Sequence, residues 1–301
     1  MPESPSLGIL GFGEVGYYTA KGLKQAGYGD IYAYNNGQRN RPPYSEAFRS
    51  RADEIGVVLV DSLKELADRS RIILSVTSPA TALDVAKQAA PHTGPQHLYA
   101  DMNSCGPRQK IEVGKLFAAQ GALFVDACLL ASPFNDLHKG LTYISGPGAD
   151  DYYDIFAPYG MNLEKIEGGK VGDAALLKML RSIISKGTMS ILWELTYAAY
   201  KCDIDLHKFE RALGAFRGDF FAAAERTVGY GFVHAARRAE EARDMQETLR
   251  DFGVDGFLAE AYEKRLSWAA KWEPELRKRF DGRTPTAVEV VRAIDELEKS
   301  G

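Results

Sequence analysis
The residues best suited to chemistry by type and spacing lie close to the start of the chain. In Leu7–Gly16, LGILGFGEVG, the glycines Gly11, Gly13 and Gly16 follow a short apolar run in G-x-G-x-x-G spacing, and a helical pattern (Val15, Thr19, Leu23) continues from them to Gly27. Each glycine has a distinct task in a dinucleotide fold. Gly11 makes the strand-to-helix turn, Gly13 lets the backbone approach a pyrophosphate, and Gly16 lets the helix lie close on the sheet. Phe12, Glu14 and Val15 share that loop, and the free N–H groups and positive dipole end of the helix suit a phosphate. Strand, glycines and helix come in the order that dinucleotide binding requires. The competing readings are a plain turn and another nucleotide-type ligand such as a methyl donor.

Further candidates stand where the following strands end, since ligands of parallel sheets sit beyond the carboxyl ends. The expected second strand, Ile31–Tyr34, ends in Asn35-Asn36, with Arg39 and Arg41 following in a loop closed by Pro42-Pro43. A carboxylate at that tip would accept the ribose hydroxyls of NAD, and none is present. The arginines suit a 2′-phosphate, so NADP is expected ahead of NAD, unless both arginines are simply solvated. Val76, Thr77 and Ser78 end the fourth strand, in a helix start that is also placed to line a cofactor channel. Asp101-Met102-Asn103-Ser104 ends the fifth, with Asn103 and Ser104 near a nicotinamide or a substrate, or serving as an Asx-turn and cap. Asp126–Gly140, DACLLASPFNDLHKG, is read as a long irregular segment of the kind that carries function.

One candidate lies elsewhere. Lys178 interrupts Ala174-Ala175-Leu176-Leu177-Lys178-Met179-Leu180, and its helix face holds Ala174, Ala175, Arg181 and Ser182, small or polar enough for the wall of a site. Partial burial of a lysine disfavours its ammonium and moves the amine toward general acid or base work. The bland reading is a lysine that snorkels to solvent.

The elements that must position these residues are legible in the pattern. The expected strands, at Leu7–Leu10, Ile31–Tyr34, Val57–Val60, Ile72–Val76, Leu98–Asp101 and Leu123–Asp126, alternate with helices at Ser45–Glu54, after a Ser62/Glu65 capping box, from Ser78-Pro79 to about Ala90, and at Arg108–Gln120. Closing strands are expected at Tyr143–Ser145 and Leu163–Ile166 around a helix at Asp150–Phe156. This is the pattern of an α/β fold, a Rossmann-type doubly wound parallel sheet, over residues 1–168. Beyond Gly168-Gly169 the periodicity is helical throughout, so residues 169–301 are expected to form an all-α domain. A helix from about Val171 to Lys201, roughly 45 Å long, would be its spine, with Leu177, Leu180, Ile184, Ile191 and Leu195 as the apolar stripe. Shorter helices are expected at Leu206–Leu213, Asp219–Val228, Val233–Phe252, Phe257–Trp272 and Thr286–Glu298.

Composition sets the class. The 301 residues are 45% hydrophobic and 26% charged with a net charge of −4, which suits a cytoplasmic protein acting on a small molecule and argues against nucleic acid or an anionic membrane as partner. There is no secretory pattern at the start and no run of apolar residues long enough for a membrane span. The three cysteines, Cys105, Cys128 and Cys202, are odd in number and far apart, as in a reduced compartment. The histidines show no metal-ligand spacing, and no metal is expected.

Taken together, Gly11–Gly16, Asp101–Ser104, Asp126-Ala127 and Gly172…Lys178 resemble the β-hydroxyacid dehydrogenase superfamily, which includes 3-hydroxyisobutyrate and 6-phosphogluconate dehydrogenases, over essentially the whole chain. KMLRSIISKG at 178–187 is most similar to a subgroup of phosphogluconate-dehydrogenase-like proteins whose C-terminal domain has no well-established function. The resemblance implies that Lys178 is the catalytic acid/base, that Ser132 and Ser182 with Lys178 face the substrate, and that a homodimer forms through the helical domain. Two departures bear on the substrate. Leu130, Ala131 and Ser132 replace the Ser-Gly-Gly turn that holds the family's substrate carboxylate, and Ser182 replaces an asparagine. The implied reaction is hydride transfer between nicotinamide C4 and a carbon bearing an alcohol or carbonyl, in a small hydroxyacid or a related compound. Two alternatives are an imine reductase on a similar scaffold and a dinucleotide-binding sensor without turnover.

Overall fold
The computed structural model describes residues 4–37, 40–201, 203–205, 228–251, 253, 256–281 and 283–300. Arg39, Cys202 and the helices expected within 206–227 lie outside the described residues. The chain divides into two compact units, Met1–Lys178 and Met179–Gly301. The first unit thus runs past Gly168-Gly169 and takes in the start of the long helix.

The first unit is built on an eight-stranded sheet: β1 (Leu7–Leu10), β2 (Ile31–Tyr34), β3 (Val58–Leu59), β4 (Ile72–Ser75), β5 (Leu98–Asp101), β6 (Leu123–Leu129), β7 (Thr142–Ser145) and β8 (Leu163–Lys165). Its order is β3-β2-β1-β4-β5-β6-β7-β8. The direction of winding reverses between β1 and β4, and this is where such sheets take their ligands. β1 to β6 pair in parallel, whereas β6 and β7 pair antiparallel.

The strands are apolar on both faces because helices cover both, and the period of two assigns alternate residues to two cores. Leu7, Ile9, Ile72, Leu74, Leu98 and Ala100 meet α1 (Glu14–Gln25), α2 (Glu46–Asp53) and α7 (Ala149–Phe156), through residues such as Leu23, Phe48 and Phe156. Leu10, Ile73 and Tyr99 meet α3 (Leu63–Arg69), α4 (Ala82–Ala89) and α5 (Pro107–Ala118), through Leu66, Ala86, Val113 and Phe117.

Several expected boundaries shift. The strand expected over Val57–Val60 pairs only at Val58 and Leu59. Ser78-Pro79 forms a turn, and α4 starts at Ala82 after Thr81. The segment read as irregular from Asp126 continues β6 to Leu129, because the antiparallel partner β7 satisfies its backbone as far as Thr142. The short α6 (Pro133–Asp136) follows. α8 (Asp173–Lys201) is the long helix.

Among the described residues of the second unit, the helices include α9 (Ala235–Asp251), α10 (Phe257–Ala270), α11 (Glu273–Arg279) and α12 (Ala287–Ser300), in addition to the larger part of α8. α8 buries Met179, Met189, Leu192 and Trp193 against Phe232, Met245, Tyr262, Leu276 and Val290 among others. The expected spine stripe is corrected here. Leu180, Ile184 and Ile191 lie on the exposed side, at 50%, 73% and 61% exposure, so the face that packs within the chain is a different one. No helix among the described residues is long and apolar enough to cross a membrane.

Candidate active site
The glycine-rich turn has the stereochemistry its spacing implies. Gly11 has φ +103°, which glycine alone adopts without strain, and a Cβ there would stand 2.7 Å from the Val76 carbonyl oxygen. A Cβ at Gly16 would run into the Gly11 carbonyl. Around Gly13 the space is open, with nothing within 4 Å of a built Cβ. Gly13 caps α1 with no side-chain acceptor for its first N–H groups, in contrast to α2 and α3, which Ser45 and Ser62 cap. Uncapped donors facing open space fit a pyrophosphate, so the loop suits the expected dinucleotide.

Around this turn, side chains take roles that spacing did not reveal. Phe12 is fully buried, edge-on to Tyr17 and Phe48, so only its backbone belongs to the loop. That backbone N–H donates to Asn35 Oδ1 at 3.0 Å, and Asn35 Nδ2 donates to the Asn40 carbonyl. Asn35 therefore turns inward and braces the loop, while Asn36 and Arg41 are exposed. Glu14 is exposed and Val15 half-buried. One cation at the loop was missed. Arg51, late in α2, sits 4.1 Å from the Tyr17 ring centroid and donates to the Gly13 carbonyl at 3.4 Å. Nothing in its sequence surroundings signals this, because the contact spans 38 residues.

The ends of β4 and β5 converge. Asn103 is 3% exposed and its amide is fully engaged. Nδ2 donates to Ser75 Oγ at 3.0 Å and Asp101 Oδ1 at 2.6 Å, and Oδ1 accepts from Thr77 Oγ1 at 3.2 Å. In the structure its side chain braces the ends of β4 and β5. Val76 is buried against Gly11, and Ser78 is exposed with its hydroxyl 2.8 Å from that of Thr81. Ser104 is half-buried and accepts from Lys178 Nζ at 2.6 Å. Lys178 is thus brought to the carboxyl end of β5. Ser132 precedes α6 and offers its carbonyl to Asn135 and Asp136. Ser182 falls in the second unit, where Lys186 Nζ donates to its hydroxyl at 3.1 Å.

Below Lys178 is a buried charge cluster that was not foreseen. Lys110, Asp101 and Asp126 are each at most 1% exposed, with Lys110 Nζ 3.4 Å from Asp101 Oδ1 and 3.3 Å from Asp126 Oδ1. Burial works against the ammonium, but the two carboxylates outweigh it and hold the amine above its ordinary range. Asp126 Oδ2 accepts from Gly172 N at 3.2 Å and Ala175 N at 3.0 Å, and Ser145 Oγ accepts from Ala174 N at 3.1 Å. The first turn of α8 is therefore capped by strands β6 and β7. Cys128 lies beside Asp126, and burial, with that carboxylate, pushes its thiol up to about 12, so it is not a thiolate nucleophile.

Residues 6–158 match the family described as the NAD binding domain of 6-phosphogluconate dehydrogenase. The chain belongs to the 6-phosphogluconate dehydrogenase family. An uncharacterized protein of Methanothermus fervidus is 30% identical over 245 residues, covering 81% of this chain and 90% of that one. A conserved hypothetical protein from Sinorhizobium meliloti has 26% identity and TM-score 0.72, with 98% and 97% of the two chains covered. The 3-hydroxyisobutyrate dehydrogenase of Mycobacterium tuberculosis, solved with L-serine, shares the two-domain fold at TM-score 0.75, with 14% identity over 97% and 99% of the two chains. The family match supports reading this chain as a nicotinamide-binding, hydroxyacid-dehydrogenase-like oxidoreductase.

Proposed function
We propose that the protein transfers a hydride between a nicotinamide cofactor, NADP(H) in preference to NAD(H), and the carbinol or carbonyl carbon of a small hydroxyacid or related compound, with Lys178 as general acid/base. The single observation that carries this reading is the 2.6 Å hydrogen bond from Lys178 Nζ to Ser104 Oγ. It fixes a proton-bearing amine at the end of β5, on the sheet edge where the glycine-rich turn after β1 also lies.

When bound, the nicotinamide gives or takes the hydride at C4. The uncapped start of α1 and the Arg51 guanidinium would hold the pyrophosphate, and Arg41, with Arg39 as the sequence suggests, would bind the 2′-phosphate. In oxidation Lys178 takes the hydroxyl proton as the carbon gives up its hydride, and in reduction it returns a proton to the carbonyl oxygen. Ser104 keeps the amine aimed, and its hydroxyl is placed to hand a hydrogen bond to the substrate oxygen. Ser132 is the proposed substrate contact of the first unit, and the resemblance assigns a substrate role to Ser182 as well. Leu130 and Ala131, where a Ser-Gly-Gly turn would hold a carboxylate, favour a substrate with an apolar portion. The active species is a homodimer.

Nicotinamide absorbance, followed with both cofactors over a panel of hydroxyacids, ketones and cyclic imines, tests the reading. Turnover of a hydroxyacid or its keto partner supports it. Reduction of cyclic imines alone moves the substrate class, and binding of NADPH without turnover of any member leaves a sensor.

A further inference from the structure
We propose that Lys110 is a positioning residue, a buried ammonium that fixes two separate parts of the site relative to each other. The inference deepens the hydride-transfer reading. Its first arm is Asp101, whose Oδ1 accepts from both the Asn103 N–H, at 2.8 Å, and the Asn103 side-chain amide. Asn103 in turn holds Thr77 and directs the backbone into Ser104. The second arm is Asp126, which accepts from Gly172 and Ala175 N–H groups and so sets the first turn of α8. Lys178 follows Ala175 by three residues, one helical turn further along. One ammonium between the two carboxylates therefore joins the segment that presents Ser104 to the helix that presents Lys178. The Lys110 ammonium also donates to the backbone carbonyls of Asp101, at the end of β5, and of Ala127, within β6, which ties it to both strands directly.

Charge bookkeeping favours a positional role over a purely stabilising one. One cation faces two carboxylates, and the excess negative charge is met at Asp126 by the amide end of α8. Asp101 Oδ2 is buried with no hydrogen-bond partner among the described residues. Buried ion clusters of this kind are commonly no more stabilising than well-packed apolar side chains, and they are more demanding in geometry. A lysine whose Nζ reaches four acceptors, at the end of β5 and within β6, holds the Asp101 and Asp126 carboxylates in fixed positions, which an apolar side chain cannot do.

The test is the accessibility and titration of Lys178, read by competitive acetylation with acetic anhydride across pH and peptide mass spectrometry, with and without NADPH. The variants are Lys110→Met and the double variant Asp101→Asn/Lys110→Met, which keeps the cluster's net charge. Folding is checked by circular dichroism and by NADPH affinity. We expect a folded double variant with NADPH affinity close to wild type, a several-fold faster acetylation of Lys178 and a displaced pH profile, because the ammonium is no longer held against Ser104. A folded variant whose Lys178 profile matches wild type overturns the proposal. Failure of both variants to fold overturns it as well, since the cluster would then hold the domain and not the site. The labelling needs no turnover, so a protein that transfers no hydride leaves this test intact.

Discussion
Lys178 Nζ donates to Ser104 Oγ at 2.6 Å across 74 residues of sequence, joining the second turn of α8 to the loop after β5. If the amine moves protons there, Lys178→Ala should lower turnover by about 10²–10⁴-fold and leave cofactor affinity nearly intact. Lys178→Arg should not restore activity, because a guanidinium does not release its proton near neutrality. Full activity in Lys178→Ala, measured with the substrate that the panel selects, would return this lysine to a surface role.

Gly13→Val separates folding from binding. A Cβ at Gly13 meets nothing within 4 Å, so the variant is expected to fold, which its melting temperature checks. Its side chain would nonetheless fill the space where a pyrophosphate meets the backbone. Fluorescence titration with NADPH should show a large loss of affinity. Unchanged binding would remove the glycine turn from the cofactor site.

Cofactor choice tests the cations around that turn. Wild type should bind NADPH more tightly than NADH. Arg39→Ala and Arg41→Ala should weaken NADPH and spare NADH. Arg51→Met should weaken both by about tenfold or more, since its guanidinium lies at Gly13 and a charge-assisted contact to a shared phosphate would be lost. A preference for NADH in wild type would defeat the 2′-phosphate argument.

Asp244, in α9, supplies a pH dependence. Burial, then the neighbouring Glu247, Glu241 and Glu240, raise its carboxyl to about 6 from 3.8. The folded state therefore binds a proton that the unfolded state has released, and between about pH 4 and 6 stability falls as pH rises. Below both values the effect vanishes. Asp244→Asn should raise the melting temperature at pH 7 by a few degrees, with the gain fading by about pH 4. A gain that is equal at both pH values would point to some other cause.

The exposed side of α8 predicts self-association. Leu180, Ile184 and Ile191 share it, and large apolar side chains repeated along one helix face mark an interaction surface. Sedimentation at micromolar concentration should give a dimer, and Ile184→Glu with Ile191→Glu should give a folded monomer. A monomeric wild type would refute the proposal.

How far the sequence carried differs from element to element. The strands β1, β2, β4 and β5 were legible within a residue or two because each is a short apolar run between polar breaks. The antiparallel extension of β6 to Leu129 was not, since its partner β7 lies beyond a long loop and nothing local announces the pairing. In α8 the length was legible, but the side that packs within the chain was not. The stripe of Leu180, Ile184 and Ile191 is as apolar as the buried face around Met189 and Trp193, and periodicity cannot say which of two apolar faces meets its own chain.

Taken alone, the sequence determined the glycine turn, the order of strand and helix, the shift to helices and the position of a lysine at the start of the long helix. All of these depend on residues within a few turns of one another, where spacing alone sets the geometry. Only the tertiary structure decided that Asn35 and Asn103 face inward, that Arg51 reaches Gly13, and that Asp126 caps α8 from 46 and 49 residues away. It also made Lys110 the shared partner of two carboxylates. A buried charge is tolerable only where partners from distant segments meet it at hydrogen-bonding distance, and that meeting is a property of the folded chain.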